Sequence, residues 1–171
     1  MHHHSESQVQ VGCVGNSQSF DTSLRKPSTT YCSHHLTCQR RWRLIFQRSH
    51  FVHTKFQISI CIDNRSIGFV IIMPRSGDDR CRADVGYALA AEYWGHGITT
   101  RAVKMAISEG LKEFPDVVRF QGLVELENKA SQRVLEKVGF LKECVLRKYS
   151  FNKGETRDMV MYSLLSTDFM P

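Results

Sequence analysis

Tyr93-Trp-Gly-His-Gly-Ile-Thr-Thr-Arg101 is the stretch on which the fold turns. An apolar, strand-like segment, Asp84 to Ala90, leads into it, and a helix-like segment, Ile98 to Phe114, leads out. Two glycines two apart between a strand and a helix let the backbone come close to a ligand. The first turn of the helix leaves its N–H groups unpaired at the positive end of the dipole. Together these make a seat for phosphate. A Gly-x-Gly pair alone is also a common turn, so the segments on either side decide the reading.

Downstream, Val103, Ile107, Leu111 and Phe114 put one helix face toward a sheet, and Pro115 stops the helix. Val117 to Leu126 reads as a strand with Val118, Phe120, Gly122, Val124 and Leu126 on one face. Asn128 to Val138 reads as a second helix, capped by Asn128, ended by Gly139, with Ala130, Val134 and Val138 on one stripe. Phe140 to Tyr149 and Arg157 to Leu165 read as two strands joined around Asn152-Lys-Gly154. Upstream, Phe56, Ile58, Ile60 and Ile62 alternate with polar or small residues, and Ile67 to Met73 returns across the turn Asp63-Asn-Arg65. The order is strand, strand, strand, helix, strand, helix, strand, strand. It predicts a mixed sheet in which a helix crosses between two parallel strands and the glycine loop sits at their carboxyl ends.

The 171-residue chain fits one domain with a substantial core, and 42% hydrophobic and 23% charged residues are ordinary for a globular protein. No apolar run suits a membrane helix, and no secretory signal is read at the start. Of the net charge of +6, residues 1–54 carry +4 (six Lys/Arg against two Asp/Glu). The excess is a solvated basic face rather than a nucleic-acid groove, for no aromatic and basic pattern matches a binding module. Six cysteines, scattered, point to free thiols in a reducing, cytoplasmic setting. The nearest thing to a metal motif, Cys32-Ser-His-His-Leu-Thr-Cys38, lacks a second ligand pair, so no metal is expected.

Residues 1–35 are rich in Ser, Thr, Gln and His; Met1 to His4 read either as a tag remnant or as native, and an organelle transit segment stays open. Thr22 to Arg25 reads as a short edge strand, and Cys38 to Arg48 as a short helix with Trp42, Leu44, Ile45 and Phe46 on the core. Residues 1–54 are thus expected to be an atypical, partly disordered segment with one short helix, and residues 55–171 the folded core.

On Val85-Gly-Tyr87, on Tyr93 to Ala102, and on Glu127-Asn-Lys-Ala-Ser-Gln-Arg-Val-Leu-Glu-Lys-Val-Gly-Phe140, residues 55–166 resemble the GNAT superfamily of acetyl-CoA-dependent N-acyltransferases. Within it the second helix is similar to the branch that acetylates N-terminal amines of ribosomal proteins, including plant members. The resemblance implies an α/β (α+β) fold: a mixed, mostly antiparallel sheet, helices on both faces, and a central parallel strand pair splayed at the cofactor cleft. Two departures stand out: Glu92 occupies a position where the family has Gln or Arg, and residues 1–54 match poorly.

Acetyl transfer to an amine needs a held pyrophosphate, which the N–H groups of Gly95, His96, Gly97, Ile98, Thr99 and Thr100 can supply. By resemblance, the pantetheine arm lies along Tyr87, Ala88 and Leu89 and against Leu123 to Glu125, with an oxyanion donor near Leu89. The family's thiolate-donating Tyr falls at Leu135 here; Ser131 replaces it, either as donor or as a helix hydroxyl bonded to its own backbone. Asn128 contacts the cofactor arm by resemblance, or simply caps its helix. The ribosomal branch's Glu falls at Ser150, which leaves Asp84 and Glu125 as candidate bases, each equally readable as a solvated strand-end carboxylate. The expected function is transfer of acetyl from acetyl-CoA to a primary amine of a protein or peptide N-terminus, by a monomer or homodimer without membrane or nucleic-acid partner. A small-amine acetyltransferase and a non-catalytic acyl-CoA-binding or partner-binding protein are the alternatives.

Overall fold

A computed structural model of the chain describes residues 9–12, 42–48, 56–63, 65–152 and 154–169. Strands β1 (Val9–Gly12), β2 (Trp42–Arg48), β3 (Phe56–Ile62), β4 (Arg65–Pro74), β5 (Arg82–Ala90), β6 (Arg119–Glu125), β7 (Leu141–Asn152) and β8 (Glu155–Leu165) form one sheet, joined by helices α1 (Ile98–Glu113) and α2 (Lys129–Val138). The strand order is β2-β3-β4-β5-β6-β8-β7, with β1 pairing β5 off that path. All neighbours are antiparallel except β5 and β6, which run parallel on either side of the α1 crossover.

The parallel pairing is short. β5 meets β6 only at Arg82↔Arg119, Ala83↔Phe120 and Asp84↔Gln121. Beyond Asp84 the two strands part, and a notch opens toward the glycine loop. This is the splayed parallel pair that the sequence predicts.

Alternation builds the core. Ile58, Ile60, Val70, Ile72, Val85, Tyr87, Leu89, Phe120 and Val124 are buried on one face and meet Ala102, Val103, Ala106 and Ile107 of α1 and Leu135 of α2. Gly110 lets α1 approach closely: a Cβ there would stand 2.6 Å from Ile72 Cδ1. A Cβ on Gly122 would stand 3.0 Å from Leu135 Cδ1, so α2 covers the same face as α1. Both described helices therefore lie on one face.

Three expectations change. Trp42 to Arg48 is a strand, not a helix: all seven residues pair with β3, Trp42 opposite Ile62 and Arg48 opposite Phe56. Trp42, Leu44 and Phe46 alternate with Arg43, Ile45 and Gln47, and that period of two wins once β3 offers an edge. A boundary at residue 54 accordingly cuts through the sheet. The buried stripe of α2 is also turned from the expected one. It is Ser131, Gln132, Leu135 and Val138, while Ala130 is exposed and Val134 half-buried. Gln132 is tolerated inside because its Nε2 donates to the carbonyls of Glu125 (3.1 Å) and Leu126 (2.9 Å). The supposed strand Thr22 to Arg25 lies outside the described residues, as does Cys32 to Cys38.

The face away from the helices carries an ordered polar pair. Arg119 donates to both carboxylate oxygens of Glu143, at 2.8 and 2.6 Å, and Ser163 Oγ adds a bond of 2.6 Å. The Arg119 hydrogen bond and then that from Ser163 pull the Glu143 carboxyl from 4.5 down to about 2. A depressed carboxyl stabilises the fold above its unfolded pKa, and that contribution fades as pH falls toward 2. Glu143→Gln should cost up to about 1 kcal/mol in urea unfolding at pH 7, limited by solvent screening of a carboxylate that is 39% exposed. The difference from the parent should close near pH 2; an equal cost at pH 7 and pH 2 would mean the ion pair is not its source.

Candidate active site

The glycine loop follows β5 as a 3-10 turn (Ala91–Tyr93) and then turns left-handed at Gly95 (φ +79°) and again at Gly97 (φ +72°). A side chain in that conformation costs roughly 1–2 kcal/mol, which is why the pair must be glycine. Gly97 is the N-cap of α1 and supplies no side-chain cap; the first helical bond runs from Arg101 N–H to its carbonyl at 3.2 Å. The N–H groups of Ile98, Thr99 and Thr100 thus stand at an open first turn. Trp94 ties the loop back to the strand by donating Nε1–H to the carbonyl of Leu89 at 2.8 Å. His96 folds onto its own loop, with Nδ1 2.7 Å from the Trp94 carbonyl. Its ring is thereby engaged at the loop and stands at the far end from Asp84.

A cavity of about 220 Å³ opens at this loop. Leu89, Gly95, Gly97, Ile98, Thr99 and Thr100, all expected site residues, form one wall with Tyr93 and Trp94. The other wall is α2: Ala130, Arg133, Val134 and Lys137. Glu92 is exposed and does not line it. Arg133 and Lys137 were not legible as site residues, because charges at i and i+4 on a helix look like a solvated face. The sequence carried no signal for them, since Ala130 and Val134, which line the cavity beside them, read there as a stripe facing the core. The cavity therefore brings open amides and two cations to one place, which suits a polyanion.

Further in, Ser131 is fully buried (0% exposed), and its Oγ has no hydrogen-bond partner among the described residues. Its N–H donates to Asn128 Oδ1 at 3.0 Å, so Asn128 does cap α2. Tyr87 Oη donates to the Ser131 carbonyl at 2.9 Å, which pins α2 to β5 beside the notch. Leaving a buried hydroxyl unmet costs about 1–3 kcal/mol. Such a group is a donor without an assigned acceptor.

The two candidate bases lie at opposite ends. Asp84 closes the notch on the face away from the helices: Oδ2 takes Nε and Nη2 of Arg75 at 2.9 and 2.7 Å, and Oδ1 takes Gln121 Nε2 at 2.7 Å. Glu125 ends β6 at the open mouth, where Oε1 accepts from Asn152 Nδ2 at 2.6 Å. A ligand anchored at the loop and laid back along β5 would bring its far end to Asp84, not to Glu125. Ala88 and Leu89 are buried on β5, and the edge of Tyr87 to Ala90 away from β4 is paired with β1. Among the described residues no group of three or more His, Cys, Asp or Glu could hold a metal, and Cys61, Cys81 and Cys144 are free. No described helix is long and apolar enough to cross a membrane.

Residues 19–141 match the family model described as an acetyltransferase (GNAT) domain, and the chain belongs to that family. The match starts well before Phe56, further into the N-terminal third than the sequence resemblance reached. An uncharacterized N-acetyltransferase, p20, of Bacillus licheniformis is 35% identical over 102 residues, 60% of this chain and 54% of that protein. Among solved structures, the ribosomal-protein-S5-alanine acetyltransferase of Vibrio fischeri superposes with a TM-score of 0.62 at 29% identity, covering 68% of this chain and 64% of that one. Mycobacterium smegmatis RimJ, solved with CoA-disulfide, gives 0.59 at 28% identity, covering 66% and 54%. The chain spans about half the length of curated relatives such as p20.

Proposed function

We propose that the protein transfers an acetyl group from acetyl-CoA to the primary amine of a protein or peptide N-terminus. The observation that carries this is the open first turn of α1 facing Arg133 and Lys137 across a cavity at the mouth of a splayed parallel strand pair. The pyrophosphate sits on the amides of Gly95 to Thr100, strengthened by the helix dipole. Arg133 and Lys137 neutralise its remaining charge. The pantetheine arm runs from there along Tyr87 to Leu89, so that the thioester comes to the closed end of the notch. That RimJ, solved with CoA-disulfide, shares the fold supports this cofactor.

Acetyl transfer forms a C–N bond and breaks a C–S bond. Asp84, ion-paired with Arg75, attracts the acceptor's ammonium, which passes its proton outward through water at this carboxylate. The neutral amine attacks the thioester carbonyl, a β5 amide near Leu89 stabilises the oxyanion, and Ser131 Oγ–H donates to the leaving thiolate. Asn128 acts by presenting Ser131. The name of the ribosomal-protein-S5-alanine acetyltransferase favours a protein acceptor.

Calorimetry with acetyl-CoA, followed by thiol release with a panel of N-terminal peptides and small amines, tests the reading. Binding with peptide-dependent release is expected; absence of binding would end it. A second reading, acyl-CoA binding without transfer, is favoured by Ser150 standing where the branch has Glu and by the pairing of β1 along the arm's edge. Its signature is binding with no release on any acceptor. Arg133→Ala with Lys137→Ala should weaken acetyl-CoA binding about tenfold and flatten its salt dependence. An unchanged salt response would remove α2 from the anion site.

A further inference from the structure

One edge of β5 is shared between two partners. The opposite edge is filled by β4 from Ala83 to Leu89. On the shared edge β6 pairs with Arg82 to Asp84, and β1 pairs antiparallel with the rest: Gly12↔Tyr87, Val11↔Ala88, Gln10↔Leu89 and Val9↔Ala90. β1 thus lies inside the notch. Its single described ladder is with β5, and it makes no ladder with β6, whose own partners are β5 and β8.

We propose that this edge is a binding site for an extended backbone, that the chain's own Val9–Gly12 is the occupant, and that it must leave before the cofactor's amide-bearing arm can enter. The inference rests on the cofactor reading above. An extended chain with alternating N–H and C=O groups adds to a strand edge through main-chain bonds alone. The pantetheine arm, with its two amides, uses the same groups, so the two occupants exclude each other at Tyr87 to Leu89. The cavity beyond, between the loop and α2, stays open with β1 in place. The nucleotide end of the cofactor can therefore dock first, and the arm then displaces β1.

The occupant is suited to release. A four-residue ladder on one edge is weak. Residues 9–12 carry no charged side chain to anchor them. Apparent affinity for the cofactor is then reduced by the fraction of molecules with the notch vacant.

Of two consecutive strand residues, one points its N–H at the partner. The full-length double variant Gln10→Pro, Val11→Pro therefore loses at least one ladder donor whichever register of bonds holds. It should bind acetyl-CoA about tenfold more tightly in calorimetry, as expected when one molecule in ten is vacant. In the unaltered chain, saturating acetyl-CoA should speed hydrogen exchange at the amides of residues 9–12 while slowing it at Gly95 to Thr100. Equal or weaker binding by the variant, or unchanged exchange at residues 9–12 when the loop amides become protected, would overturn displacement while leaving the cofactor reading intact. If neither protein binds, the cofactor reading falls and displacement falls with it.

Discussion

Gly97→Trp is expected to abolish acetyl-CoA binding while the domain remains folded. Gly97 sits at φ +72° with no atom of the described residues beyond its chain neighbours within 4 Å of where a Cβ would stand, so the new side chain meets solvent and cavity rather than core. The left-handed backbone costs about 1–2 kcal/mol with a side chain, a minor part of the roughly 5–15 kcal/mol of a typical domain. Binding suffers differently. An indole at the N-cap of α1 projects where the diphosphate must approach the first-turn amides, and relaxing the strain reorients those amides. A loss beyond about a hundredfold is expected, read by calorimetry alongside a thermal melt. Affinity within tenfold of the parent, in a folded variant, would take the glycine loop out of the site.

Ser131→Ala carries the second large effect, and its signature is a split between stability and turnover. Oγ is buried without a partner among the described residues, so its removal deletes an unmet polar atom and should leave the melting temperature unchanged or raise it. If that hydroxyl donates to the departing thiolate, kcat should fall by about a hundredfold or more with little change in KM for acetyl-CoA. Unaltered kcat would make Ser131 a packing residue, since the capping bond from its N–H to Asn128 needs no hydroxyl. Asn128→Ala provides the contrast, since it should cost about 1 kcal/mol of stability through the lost cap.

The middle and end of the chain were readable because their side chains carry the pattern. Ile58, Ile60 and Ile62 announce a strand through alternation; Val103 and Ile107 announce the inner face of α1; Gly97 and Pro115 mark its ends. β1 and β2 were not readable for the opposite reason. Each is a strand because of the edge it meets, β5 for one and β3 for the other, and an edge is a property of the assembled sheet. The same holds in the site. The glycine loop and Ser131 stand out in the sequence, whereas Arg133 and Lys137 acquire meaning only when α2 is laid opposite α1. The phase of α2 was misjudged because Gln132 looks like a surface residue until the carbonyls of Glu125 and Leu126 are brought above its amide.

The brevity of the β5–β6 ladder has a mechanical meaning. Three residue pairs join a leaf made of β2, β3, β4 and β5 to a leaf made of β6, β8 and β7. With so little main chain stitching the seam, its spread is governed by what straddles it: α1 as a spine and the Tyr87–Ser131 clasp as a strut. The width of the gap is therefore set by the packing of the helices across the seam rather than by the sheet's own ladder.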